Sequence, residues 1–326
     1  MAMKPFPILF ITAMDVGGAI ASSGLIKRLH DEAPGARFTI VAGPDTAPLF
    51  AAVPELDQLI ITKTACDGGM ARFGLRRQLG RKRWSLIVDM RGIDIARSLK
   101  RERRAEIKPS PVPLHPVLAA ARTLQVEEDP PAPYLFTTLE MDAEAAAHLG
   151  EGGPIVAMAP DGAWGGRVWP TERFAQIANR LFAPEGPLPN GRLLVLGPGG
   201  EDEATELARF AGIRQRVIGR PGDLDLAHGH ACLKRCRLFI GNDNVWMHLA
   251  AAAGTPTLGL FGPSDEDVCR PWGDHARTVR GPRDFAAFRA LDPNFNQAIG
   301  HMMDLSADAV LEAAVDLLNA TKDRNG

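Results

Sequence analysis

No run of about 18 apolar residues occurs in this 326-residue chain, so no transmembrane helix is expected. Cysteine is scarce. Cys66, Cys232, Cys236 and Cys269 are scattered without disulfide-framework spacing, which fits a reducing, cytoplasmic setting. Net charge is only −2, so the overall balance selects no class of partner. Internal repeats and low-complexity segments are absent. The first apolar run, Pro7–Ile11, is short, soon meets Asp15 and has no small-residue cleavage site, so it reads as a buried strand rather than a signal peptide.

What is present suits a two-domain α/β protein. Apolar residues make up 45% of the chain, and 33 glycines and 26 prolines supply its turns. Strand and helix patterns alternate in both halves. Expected strands are Pro7–Ile11, Arg37–Ala42, Leu59–Ile61 and Leu86–Asp89, then Ile155–Met158, Leu193–Leu196, Leu238–Ile240 and Thr257–Phe261. After Trp169-Pro170, Phe174, Ile177, Ala178 and Leu181 form a helical stripe. A last helix is expected from about Ala307 to Asn319. The proline-rich segment from Lys108 should be a loop. The Gly-rich stretch near 150 suggests domains at 1–150 and 151–326. Each reads as a Rossmann-like αβα layer structure, the two facing a cleft, with ligands at the carboxyl ends of the strands.

The most informative stretch runs from Phe239 to Pro263, with Gly241-Asn-Asp243-Asn-Val245-Trp-Met247-His248 at its centre. It reads as strand, polar turn and helix, with free backbone N–H groups at a helix N-terminus, a favourable place for a phosphate. The two histidines and two cysteines of His228-Gly-His230-Ala-Cys232…Cys236 mimic a zinc set. On one helix, however, His230 points away from the face shared by 228, 232 and 236, so core packing is the better reading. Asp223-Leu-Asp225 belongs to a helix cap rather than a metal site.

Five segments in order resemble glycosyltransferase family 9, the ADP-heptose:lipopolysaccharide heptosyltransferases: Ile8–Ile11 through Ser22-Ser23; Trp84–Gly92 with Arg97-Ser98; Pro160–Ala163 with Arg167-Val-Trp169-Pro170 and Arg173-Phe174; Gly197–Glu203; and the Phe239–Pro263 signature. The resemblance implies a GT-B-type fold and inverting transfer of a sugar, heptose in the family, from an ADP-sugar or another nucleotide-diphosphate sugar, with no metal. It implies donor contacts from Arg167 to the diphosphate and from Glu203 to the nucleoside. Around the signature turn the expected donor-site residues are Asp243, Asn244, Val245, Met247 and His248. Asp243 should cap the helix and orient the loop, or meet a sugar hydroxyl, while Asn244 should donate to a phosphate or sugar.

The chain departs from the pattern at two places. The family's loop aspartate falls at Gly18, leaving Asp15 as the only acid of the first loop and the expected base. Its small hydroxyl residue and glycine in the signature turn are here Asn244 and Val245, whose branched side chain resists unusual backbone angles. A relative that only binds a nucleotide or glycan is one alternative; a GT-B-type sugar-nucleotide epimerase is another.

Between Arg72 and Lys108 there are 13 Lys and Arg against four Asp and Glu. No interleaved aromatics accompany them, which argues against nucleic acid. An anionic glycan or lipopolysaccharide-core acceptor held through Arg97, Arg101 and Arg104, and peripheral association with the inner membrane face, would use that charge.

Overall fold

The computed structural model describes residues 5–63, 69–162, 164–197, 201–212, 217–218, 225–295 and 299–324, without the side chains of 69–72, 201–204 and 324. The chain divides by contacts into two units, 1–138 and 139–326.

The first unit contains β1 (Phe6–Ile11), α1 (Val16–Glu32), β2 (Ala36–Ala42), β3 (Leu56–Ile61), α2 (Gly69–Leu79), β4 (Trp84–Asp89), α3 (Asp94–Ser98), β5 (Arg101–Glu106) and α4 (Pro116–Leu124). Its five strands lie in the order β3-β2-β1-β4-β5, all parallel. A right-handed crossover rule puts α1 on one face and α2 and α3 on the other. The core agrees: Leu9, Ile11, Val41, Ile60 and Ile87 pack with Leu75 and Leu79 of α2 and Ile95 of α3. The strand order reverses between β1 and β4, and the loops after these two strands flank the resulting crevice.

The second unit contains α5 (Leu139–Leu149), β6 (Ile155–Ala159), α6 (Thr171–Phe182), β7 (Arg192–Val195), α7 (Glu201–Ala211), β8 (Val217–Ile218), α8 (Leu226–Leu233), β9 (Leu238–Asn242), α9 (Val245–Ala252), β10 (Thr257–Phe261), α10 (Glu266–Cys269), β11 (Ala276–Arg280), α11 (Phe285–Leu291) and α12 (Ala307–Ala320). Its sheet order is β11-β10-β9-β6-β7-β8, again all parallel. Here the order reverses between β6 and β9.

The division falls before α5 rather than at the Gly-rich stretch near 150. Helix α5 packs on α8, and Lys234 reaches Asp142 at 2.9 Å. The apolar stripe of α6 is buried with Val310, Ala314 and Leu317 of α12. Trp169, fully buried, anchors the entry to α6: its Nε1 donates to the Leu305 carbonyl at 2.9 Å and its ring meets Phe174 edge-on.

Candidate functional site

The signature turn lies at the β6/β9 reversal. Asn242 closes β9 and ties it to the end of β6. Its Nδ2 donates to the Pro160 carbonyl at 2.6 Å, and its Oδ1 accepts from the Trp169 N–H at 3.2 Å. Asn244, two residues on, is the N-cap of α9. Its Oδ1 accepts from the Trp246 and Met247 N–H groups at 3.0 and 3.2 Å, and its Nδ2 donates to the Asp161 carbonyl and carboxylate at 3.0 and 2.9 Å.

These bonds correct three expectations. The helix cap is Asn244 and not Asp243. The Trp246 and Met247 N–H groups are occupied by that cap, so they are not free for a phosphate. Val245 is the first residue of α9 and has no positive φ, so its branched side chain meets no backbone strain. Met247 is fully buried, and its sulfur lies 2.6 Å from where a Cβ on Gly259 of β10 would stand. It supports the turn from beneath. His248, partly buried, follows in the first turn of α9.

Asp243 points into a different network. Nearly buried, it accepts from the Ser264 hydroxyl at 2.7 Å and forms an ion pair with Arg167 Nη1 at 3.2 Å. Ser264, just past β10, is held in turn by Arg280, which donates to its carbonyl at 3.0 Å. Arg167 ends a single 3-10 turn, Gly165–Arg167, after Trp164. Its side chain remains 29% exposed, whereas that of Asp243 is 8% exposed. A carboxylate so buried is tolerable because it has both a cation and a hydroxyl donor. The ion pair aims a partly accessible guanidinium at the carboxyl end of the sheet, where an anion can reach it.

Asp161, Ser264 and Arg280 belong to this site and were not singled out by sequence. The available signal was position: Asp161 and Ser264 sit in the loops that follow β6 and β10, on the ligand-binding edge of a parallel sheet. Glu203 lies on the first turn of α7, but its side chain, the Gly-rich turn at 198–200 and Asp223 are outside the described residues.

In the first unit, Asp15 is exposed and caps α1, its Oδ1 accepting from the Gly18 N–H at 2.7 Å. A Cβ built on Gly18 would stand 2.9 Å from Asp15 Oδ2 and 3.2 Å from Oδ1. The Asp15 carboxylate therefore occupies the volume that a side chain at position 18 would enter. The neighbouring loop is cross-braced by Arg91, whose Nε donates to the Thr12 carbonyl at 2.6 Å. Asp89, fully buried, accepts from the Arg91 and Gly92 N–H groups at 3.0 Å; burial pushes its carboxyl above the usual range.

The three arginines expected to meet an acceptor are together but partly engaged. Arg97 donates to Glu106 at 2.7 Å, Arg104 also pairs with Glu106, and Arg101 donates to the carbonyls of Arg97 and Leu99. Arg97 and then Arg104 hold the Glu106 carboxyl below its ordinary range, opposed by desolvation. In the segment 228–236, His230 is buried along with the two cysteines. Cys232 and Cys236 are fully buried, desolvation pushes the Cys232 thiol up to about 11 and Cys236 higher, and no metal-holding cluster of three His, Cys, Asp or Glu exists among the described residues.

Two parallel sheets, each with loops gathered at a strand-order reversal, define a two-unit α/β protein. The family model for glycosyltransferase family 9 (heptosyltransferase) matches residues 81–294, and the chain belongs to that family. Lipopolysaccharide heptosyltransferase 2 of Escherichia coli is 24% identical over 95% of this chain and 98% of its own length. Among solved structures, E. coli ADP-heptose LPS heptosyltransferase II aligns with a TM-score of 0.73 at 19% identity, over 97% of this chain and 99% of that one. E. coli heptosyltransferase WaaC with ADP aligns at 0.70 and 15%, over 95% and 99%. The fold is thus of the GT-B type and the protein is a heptosyltransferase-like glycosyltransferase. Among the described residues, no helix is long and apolar enough to cross a membrane.

Proposed function

We propose that the chain transfers heptose, with inversion, from ADP-heptose to a lipopolysaccharide-core acceptor. The second unit takes the donor. The observation that carries this is Arg167, fixed by Asp243 at the β6/β9 reversal with part of its guanidinium exposed. The ADP bound by the structural relative supports an adenine nucleotide there. Asn244 and Asn242 build the turn, and Glu203 is retained as a nucleoside contact by resemblance.

The first unit supplies the base and the acceptor surface. Asp15 Oδ2 withdraws the proton from the acceptor hydroxyl, whose oxygen attacks the anomeric carbon. The bond from that carbon to the diphosphate breaks, ADP departs, and Arg167 offsets the charge developing on it. Arg97, Arg101 and Arg104 contact the anionic acceptor and favour association with an anionic membrane face. The cationic groups serve the leaving diphosphate without a resident metal, so a chelator leaves transfer unchanged.

Calorimetry with ADP, ADP-heptose, UDP and GDP tests the donor assignment. Binding of the two adenine nucleotides, weakened by Arg167→Met, is expected; binding of none, or equal affinity for all, contradicts it.

A further inference from the structure

We infer a second ligand site in the first unit, for a phosphate monoester carried on an apolar stem. A pocket of about 300 Å³ lies between the C-terminal halves of α1 and α4 and the strands β4 and β5, with Arg28, Glu32, Arg103, Arg104 and Thr123 on its polar side. That volume matches the lower end of small-molecule pockets. Leu29, Leu86 and Leu124 form its apolar wall.

Among the described residues, Arg104 Nη1 and Thr123 Oγ1 of this lining are buried without a hydrogen-bond partner. The Arg104 side chain is 22% exposed, and Thr123 is 8% exposed. Buried polar groups of this kind are almost always satisfied, so a pair in one pocket points to a bound acceptor. Arg104 spends its Nη2 on Glu106, which orients the fork and leaves Nη1 over. Arg28 is steadied by Glu32 at 3.0 Å and Asp129 at 3.3 Å, and Arg103 is exposed. Donors thus come from three elements, α1, β5 and α4. Convergence from three directions suits the several oxygens of a tetrahedral phosphate better than a planar carboxylate.

The pocket lies away from the proposed base, while Arg104 borders both it and the proposed acceptor surface. Arg28 lies 13 residues along α1 from Asp15, about 20 Å at the helical rise. One small ligand cannot touch both. The inference does not depend on the reaction assigned above.

The test is calorimetry of the full chain with octyl phosphate and inorganic phosphate, repeated on Thr123→Val and Thr123→Ser. Octyl phosphate should bind the wild type, lose about tenfold or more in affinity with T123V, and recover with T123S. Tighter binding of octyl phosphate than of inorganic phosphate, together with sedimentation on phosphatidic-acid but not phosphatidylcholine vesicles, would identify a lipid source. Equal affinity for both phosphates would show that the stem contributes nothing and would overturn the proposal as stated. Binding of neither, or binding untouched by T123V in a protein of wild-type melting temperature, would overturn the site.

Discussion

A carboxylate that caps a helix and one that accepts a proton need different things from their neighbours; one oxygen of Asp15 does the first, and the second is the role proposed for the other. Oδ1 holds the Gly18 N–H; Oδ2 stands beside the space at Gly18. Removing the side chain should cost the helix cap about 1 kcal/mol, so Asp15→Ala lowers thermal stability. Asn caps as well as Asp, so Asp15→Asn should leave the melting temperature nearly unchanged. Asp89 gives a pH signature. Its folded pKa is raised, chiefly by burial. The native state then holds a proton that the unfolded chain has released, so its contribution falls as pH rises from the ordinary aspartate range through the raised pKa. Asp89→Asn keeps an oxygen for the Arg91 and Gly92 N–H groups, and its stability relative to wild type should increase from pH 4 to pH 7 in chemical denaturation. A constant difference would remove Asp89 from the titration. At this scale the sequence located the signature turn but not its internal bonding. Asp243 and Asn244 are both good caps, and only the direction in which β9 delivers them decides that Asn244 takes the helix while Asp243 takes Arg167.

Among the elements, those with apolar periodicity were legible and the edges were not. The expected strands appear as β1–β4, β6, β7, β9 and β10, each longer or shifted by a few residues at most. Missing from that reading were β5, β8 and β11. Strand β5 is Arg-Glu-Arg-Arg-Ala-Glu, without an apolar alternation, because an edge strand can keep charge on both faces. β8 has only two residues, and β11 also lies at an edge. The charge run read as a surface patch is therefore partly a strand, and Glu106 draws two of its arginines together. Charge reversal at Arg97 and Arg101 should raise the acceptor KM while leaving ADP affinity unchanged; equal loss of both would contradict the acceptor role. Close packing makes another prediction, in α1. A Cβ on Gly24 would stand 2.3 Å from the Ala132 carbonyl oxygen and 2.6 Å from that of Pro131. Ala would gain about 1 kcal/mol of helix propensity, but overpacking against backbone costs about 1–3 kcal/mol. Gly24→Ala should therefore be neutral to destabilising by about 2 kcal/mol in urea unfolding, and a stabilised variant would show that the 131–134 segment yields freely.

For the whole molecule, both units use the same rule: each gathers its candidate site loops where the strand order reverses. In the first, the loops after β1 and β4 carry Asp15 and Asp89. In the second, the loops after β6 and β9 carry Asp161, Asp243 and Asn244. The family model spans residues 81–294, parts of both units, and the two departures expected at Gly18 and Asn244-Val245 each have a local counterpart in the structure. Asp15 fills the space at Gly18, and Asn244 turns the signature loop into a tightly capped helix start. The family was legible because motif order survives divergence; the division at 138 was not, because it depends on α5 packing against α8 rather than on a break in composition. The most direct measurement is heptose transfer from ADP-heptose to a heptose-deficient lipopolysaccharide core, comparing wild type with Asp15→Asn. We expect turnover with an inverted anomeric centre for the wild type, and a loss of about 10²–10⁴ in kcat for D15N at unchanged ADP affinity and melting temperature. Full turnover by D15N, or ADP-heptose binding without any transfer by the wild type, would contradict the account.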